Sequence, residues 1–117
     1  SAFSHVAIVP QGATTIYVGG QNAVDSSGAL IGDGDVAAQS VRALQNVATA
    51  LAAAGASLRD VVQWTVLFVD GVDISTGYAA IAGDLATDEP GLITAARVAG
   101  LGVPGALVEI SAVAAVV

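Results

Sequence analysis

Glu109 is a carboxylate inside a run built for burial, Leu107-Val108-Glu109-Ile110, and it is the residue best suited to acid-base work in this chain. A buried carboxylate must be paired, hydrogen-bonded or protonated, which opens its proton affinity to tuning. The alternative weighs equally: a strand whose Glu109 and Ser111 face solvent or a subunit interface. Arg97 stands in an apolar strand in the same way and is expected to pair with Glu109 across neighbouring strands, as a structural pair ahead of a ligand clamp. His5, beside Phe3, brings the one side-chain type whose charge changes near neutral pH, although a lone histidine more often serves structure. Gly19-Gly20 brings backbone N–H groups close to a strand end, as an anion cradle or simply as a tight bend. Trp64, Phe68 and Tyr17 read as core or interface packing. Asp33-Gly34-Asp35 lacks the spacing of a calcium loop and reads as solvated.

The residue inventory closes several routes. There is no cysteine and no lysine, so disulfides, cysteine-ligated metals, thiolate attack and lysine Schiff bases are all excluded. A single histidine among scattered carboxylates argues against structural zinc, and neither a metal nor an organic cofactor is expected. Three arginines (Arg42, Arg59 and Arg97) against ten acidic residues give a net charge of −7, which repels a phosphate backbone and makes nucleic acid a poor partner.

At 117 residues the chain reads as one domain over its whole length, 1–117. Its apolar fraction of 55% exceeds the usual value of about 45 to 50%. No run reaches the roughly 18 uninterrupted apolar residues of a membrane span, so no membrane association is expected. The excess apolar surface predicts an obligate oligomer. The start, Ser1-Ala2-Phe3-Ser4-His5, has neither the basic region nor the apolar stretch of a signal peptide, and a cytoplasmic location is expected.

The elements that must position these residues follow from periodicity. Val6 to Val9 and Thr15 to Val18, around the turn Pro10-Gln11-Gly12-Ala13, predict an antiparallel hairpin. The Gly-rich stretch from Asp25 to Asp35 predicts surface loop with a short edge strand at Ala29 to Ile31, and Asp33 or Asp35 as the cap of a helix over Val36 to Ala54. That helix carries Val41, Leu44, Ala48 and Leu51 on one face, Gln39, Arg42, Gln45 and Thr49 on the other, and Gly55 as its stop. Val61 to Val69 alternates as a strand with Trp64 and Phe68 on one face. Asp73 caps a second helix through Ile74, Tyr78, Ile81 and Leu85, and Leu92 to Val98 and Leu107 to Val116 complete the strands. The order ββαβαββ predicts an α+β fold, a mixed sheet with two helices on one face and another subunit on the other.

Several separated segments also carry a family resemblance. Tyr17-Val18-Gly19-Gly20-Gln21, Ala38-Gln39, Leu44-Gln45-Asn46, Ala54-Gly55, Asp60-Val61-Val62, Thr65-Val66 and Val108-Glu109-Ile110, with Phe3-Ser4-His5 before them, resemble the YjgF/Rid family of enamine and imine deaminases. The resemblance implies a chorismate-mutase-like fold and a homotrimer with small-molecule clefts between subunits. In those clefts, carboxylate-bearing imines or keto acids bind and water attack releases ammonia. It places Glu109 on the glutamate that positions the water, and Gly20 and Gln21 on the motif. Gly19 stands for a serine, Phe3 for a tyrosine, Tyr78 for an asparagine, Ile93 for the arginine that clamps the substrate carboxylate, and Ala95 for a cysteine.

Neither Leu92 nor Thr94 supplies that arginine, and Arg97, four residues along the strand from Ile93, is about 13 Å away. Losing a bidentate clamp removes charge-assisted hydrogen bonds that bind and orient. The expectation is therefore a Rid-like trimer that binds a small, non-carboxylate molecule, with hydrolase or deaminase-type chemistry on an imine, carbonyl or lactam-like compound. Two alternatives stay open: a non-catalytic binding or regulatory module whose cleft is filled by Ile93 and Phe3, and a conventional deaminase with Arg97 or Arg42 as a relocated cation.

Overall fold

In the computed structural model, which describes residues 3–117, the longest helix forms where the apolar period and its caps agree. Helix α1 spans Val36–Ala53. The Asp35 side chain accepts from the Ala38 amide at 3.0 Å, and Gly55 follows the helix at a φ of 83°, open to residues without a Cβ. The buried face is centred on Ala43, Leu44, Val47 and Leu51, with Val41 outside it.

Gln39, expected on the exposed face, is fully buried. Its Nε2 donates to the carbonyls of Gly32 and Gly105 at 3.1 and 3.2 Å, and its Oε1 accepts from the Leu107 amide at 2.8 Å. A buried amide whose donors and acceptor are all used costs little, which is why a polar residue lies on the packed face.

Four strands form one sheet in the order β1-β4-β2-β3: β1 Thr14–Gln21, β2 Val61–Val69, β3 Leu92–Val98 and β4 Val108–Val116. Strand β4 runs antiparallel to both β1 and β2, and β3 pairs parallel with β2. The parallel pair is joined through two short helices, α2 Ile74–Ala79 and α3 Ala82–Leu85.

Trp64, Val66 and Phe68 of β2 and Val108 and Ile110 of β4 are buried against α1, Ile81 and Leu85. Each large side chain buried there contributes about 1.5 to 3 kcal/mol of transfer free energy. Among the described residues no helix is long and apolar enough to cross a membrane.

Three expected elements differ. The segment Val6 to Val9 forms no ladder, and Val6 and Ile8 are 74% and 89% exposed. The Ser4 amide donates to the Gly91 carbonyl at 3.1 Å and the Ser4 hydroxyl to the Pro90 carbonyl, which carries the segment to the start of β3, away from β1. Pro10 also lacks the N–H that a hairpin rung would use.

The second helix is split into α2 and α3 at Ala80-Ile81, and the turn keeps both Ile81 and Leu85 in the core. Asp73 caps α2 as expected, accepting from the Ser75 and Thr76 amides at 3.0 and 3.4 Å. Gly77 is there for contact: a Cβ would lie 2.7 Å from Phe68 Cε1 and 2.9 Å from Val36 Cγ2. The edge strand expected at Ala29 to Ile31 reduces to one bridge, Val24 with Leu30.

Candidate functional site

The helices cover one face of the sheet, and alternation along each strand decides what stands on the other. On β4 the buried residues Val108, Ile110, Ala112 and Ala114 alternate with Glu109, Ser111 and Val113, which therefore point to the open face. Gln63, Thr65 and Leu67 do the same on β2, and Tyr17, 79% exposed, on β1. Tyr17, Gly19, Gln63, Thr65, Ser111 and Val113 line a shallow depression there.

Glu109 is opposite Leu67 on one side and beside a bulge of β1 on the other, where the register shifts between Val18 and Gln21. The bulge presents Gly20 directly to the carboxylate. A Cβ at position 20 would lie 2.5 Å from Glu109 Cδ, 2.6 Å from Oε2 and 2.9 Å from Cγ. Gly20 is needed for this close approach and not for its φ, which is not positive.

Three amides hold the backbone that leads into Glu109. Asn22 Nδ2 donates to the Val108 carbonyl at 3.1 Å, and Gln39 takes the Leu107 amide. Asn46 Nδ2 donates to the Asn22 and Val24 carbonyls, each at 2.9 Å, so α1, the loop after β1 and β4 are tied together. Sequence reasoning assigned none of these roles. The available signals were an amide at the packed face of α1 and an Asn directly after Gly-Gly-Gln.

The other candidates lie elsewhere within the chain. Gln21 Nε2 donates to the Gly19 carbonyl at 3.1 Å, and Gln21 borders a separate depression with Asp25, Arg42 and Asn46. Hydrogen bonds from the Ser27 hydroxyl, then from the Ala29 and Ser27 amides, hold the Asp25 carboxyl below its ordinary pKa. Phe3 and His5 pack against each other with ring centroids 5.4 Å apart, on the segment that Ser4 ties to Gly91.

Ile93 is level with Trp64 and packs on the core, and Ala95 is level with Val66, so both lie on the covered face of the sheet. Leu92 and Thr94 share the open face with Glu109. Leu92 is level with Gln63 and Glu109 with Leu67, so the two are separated by about 13 Å along the strands and about 10 Å across them. Tyr78 packs with the helices, and burial raises the pKa of its phenol.

The expected Arg97–Glu109 pair does not form. Strand β2 lies between β3 and β4, and Arg97, level with Phe68, points to the covered face, where Nη1 donates to the Val72 carbonyl at 2.9 Å. Arg42 Nε donates to Asn46 Oδ1 at 3.2 Å, and Arg59 lies 4.0 Å from Asp88 at the surface. Among the described residues no hydrogen bond or ion pair engages the Glu109 carboxylate, and no cluster of His, Cys, Asp or Glu could hold a metal. What is assembled is an acceptor group on an otherwise uncharged sheet face, able to orient a water or receive a donor from a ligand.

A four-stranded mixed sheet with helices on one face and a glutamate packed over a glycine bulge defines an α+β domain of one recognisable kind. The chain belongs to the YjgF/Rid family: the family model described as Endoribonuclease L-PSP matches residues 1–116. It is 39% identical over 75 residues to the 2-iminobutanoate/2-iminopropanoate deaminase of Rattus norvegicus, a match covering 64% of this chain and 53% of that protein. The human protein of the same name is 40% identical over 62 residues, covering 53% and 45%. The chain thus spans about half the length of the curated relatives it matches.

Among solved structures it is similar to YyfB of the conserved Rid protein family from Yersinia pestis, with a TM-score of 0.85, 28% identity, and 98% and 87% of the two chains covered. It is also similar to RidA from an Antarctic Psychrobacter, with a TM-score of 0.76, 28% identity, and 94% and 92% covered.

Proposed function

We propose that this chain forms a homotrimer whose intersubunit clefts bind a small, non-carboxylate molecule, with Glu109 positioning water for attack on the electrophilic carbon of an imine, carbonyl or lactam-like group. The observation that carries the reading is Glu109 itself, seated over Gly20 on a sheet face where no strand residue supplies a cation. Ammonia release would follow where the substrate is an imine, in keeping with the names of the curated relatives.

Assembly is supported by the uncovered face, with Tyr17 exposed on its edge strand β1, and by the division of the candidate residues. Glu109 and Gly20 stand at one corner of the sheet, and Phe3, His5 and Leu92 belong to the opposite corner. Residues that far apart act on one small ligand only when a neighbouring copy brings the second group to the first. The description Endoribonuclease L-PSP names an RNA-cleaving activity, which the net charge of −7 disfavours.

A second reading, conventional 2-iminopropanoate deamination, is favoured by identity to the rat and human proteins. It requires Arg42 or Arg97 of a neighbouring subunit to reach the cleft. The two are separated by measuring ammonia from freshly generated 2-iminopropanoate and from a carboxylate-free imine, with wild type and Glu109→Gln. Acceleration of the second alone, lost in the variant, is expected; acceleration of the first alone overturns the leading reading.

A further inference from the structure

In all four strands only Glu109 and Arg97 carry charge. Arg97 is directed to the covered face and engaged by the Val72 carbonyl. Among the described strand residues the open face therefore bears one formal charge per chain, the carboxylate of Glu109. Arg42 belongs to α1, where it meets Asn46, and Arg59 lies beside Asp88 before the start of β2.

A symmetric oligomer repeats this inventory in each copy. A cleft built from this face gains further carboxylates and no sheet cation. Glu109 is partly buried beside Leu67, and Leu67 in turn is level with Ala96. An ionised carboxylate accepts hydrogen bonds only, and charged N–H donors satisfy it best. Its attraction for such donors grows as apolar walls exclude water. The net charge of −7 acts in the same direction, concentrating cations and repelling anions.

Given Glu109 as the ligand-binding group proposed above, we propose that its ligand is a small organic cation with N–H donors, of the amidinium, protonated imine or protonated amine class. The charged end meets Glu109 and the apolar end lies against Leu67 and Ala96. A carboxylate on the ligand would be repelled, which gives the departure from an arginine clamp a positive chemical meaning.

Matched four-carbon probes test this on the intact protein: n-butylammonium, butyramide and butyrate, with benzamidinium as a second cation. Binding is read from amide chemical shifts at Gly20 and Glu109. The cations should shift both signals saturably, bind severalfold more weakly as salt rises from about 0.05 to about 0.5 M, and lose about tenfold or more in affinity in Glu109→Gln. Butyrate should leave both signals in place.

Cation binding undiminished in Glu109→Gln, or butyrate binding as tight as that of the cations, overturns the proposal. Glu109-dependent binding of butyramide with no response to either cation overturns the cation class and leaves Glu109 as the binding group. Silence from every probe, with Glu109→Gln unfolding at the wild-type temperature, overturns both.

Discussion

Gly20→Ala should separate the position of Glu109 from the stability of the sheet. The new methyl would start 2.5 Å from Glu109 Cδ, and ordinary contact begins at 3.4 Å, so the carboxyl end must retreat by 3.4 − 2.5 = 0.9 Å. It is the far end of a flexible side chain, with an open face to move into, and the strain should fall at or below the low end of overpacking costs, about 1 kcal/mol. A loss of that size lowers the Tm of a domain this small by about 4 °C. Function should fall much further, because a misplacement of about 1 Å in a reacting group costs on the order of a hundredfold. Gly19→Ala is the control: its Cβ meets nothing within 4 Å, and neither glycine has a positive φ. Thermal unfolding and the rate of hydrolysis of a carboxylate-free imine by both variants provide the assay. Gly20→Ala that hydrolyses it within about threefold of the wild-type rate, or Gly19→Ala that is equally impaired, would refute the coupling of Gly20 to Glu109.

Gly77→Ala should destabilise by about 1 to 3 kcal/mol in urea unfolding despite the better helix propensity of alanine, because the Phe68 ring 2.7 Å away is buried and cannot yield. Gln39→Ala should cost about 2 kcal/mol or more, since it strands the Leu107 amide and two carbonyls, while Gln45→Ala on the exposed side of α1 should be neutral. Hydrogen bonds from the Ser75 hydroxyl, then from Thr76, hold the Asp73 carboxyl below its ordinary value of 3.8. The folded state therefore releases this proton more readily than the unfolded chain. Its stabilisation is full above about pH 4 and lost as pH falls through the folded value. Asp73→Asn should flatten the acid limb of a stability–pH curve, and an unchanged limb would show that the cap carries no such linkage.

What was legible in the sequence was local. Helix α1 with its Asp35 cap and Gly55 stop, the alternation of β2, and the cap at Asp73 each rest on residues within a few positions of one another. The order of strands is a long-range property, and there inference failed: β3 and β4 are consecutive in sequence but lie on either side of β2, so Arg97 and Glu109 never meet. The first hairpin failed for a related reason, since Ser4 finds its partners at Pro90 and Gly91, far along the chain. Glu109 was visible as a carboxylate in an apolar run. Its seat on Gly20 was not, because a bulge that brings Gly20 under the carboxylate leaves no mark in the pattern beyond the glycines themselves. Gln39 read as an exposed amide of α1, and nothing in the pattern gave Asn22 or Asn46 a structural role until the loops they join were in place.

The central claim, a Glu109-dependent cleft without a carboxylate clamp, is tested most directly by comparing hydrolysis of one imine with and without an α-carboxylate. The account predicts that the carboxylate-free imine is hydrolysed faster than in buffer by wild type and at the buffer rate by Glu109→Gln, with 2-iminopropanoate unaffected by either protein. Acceleration confined to 2-iminopropanoate, or acceleration of the carboxylate-free imine that survives Glu109→Gln, would contradict it.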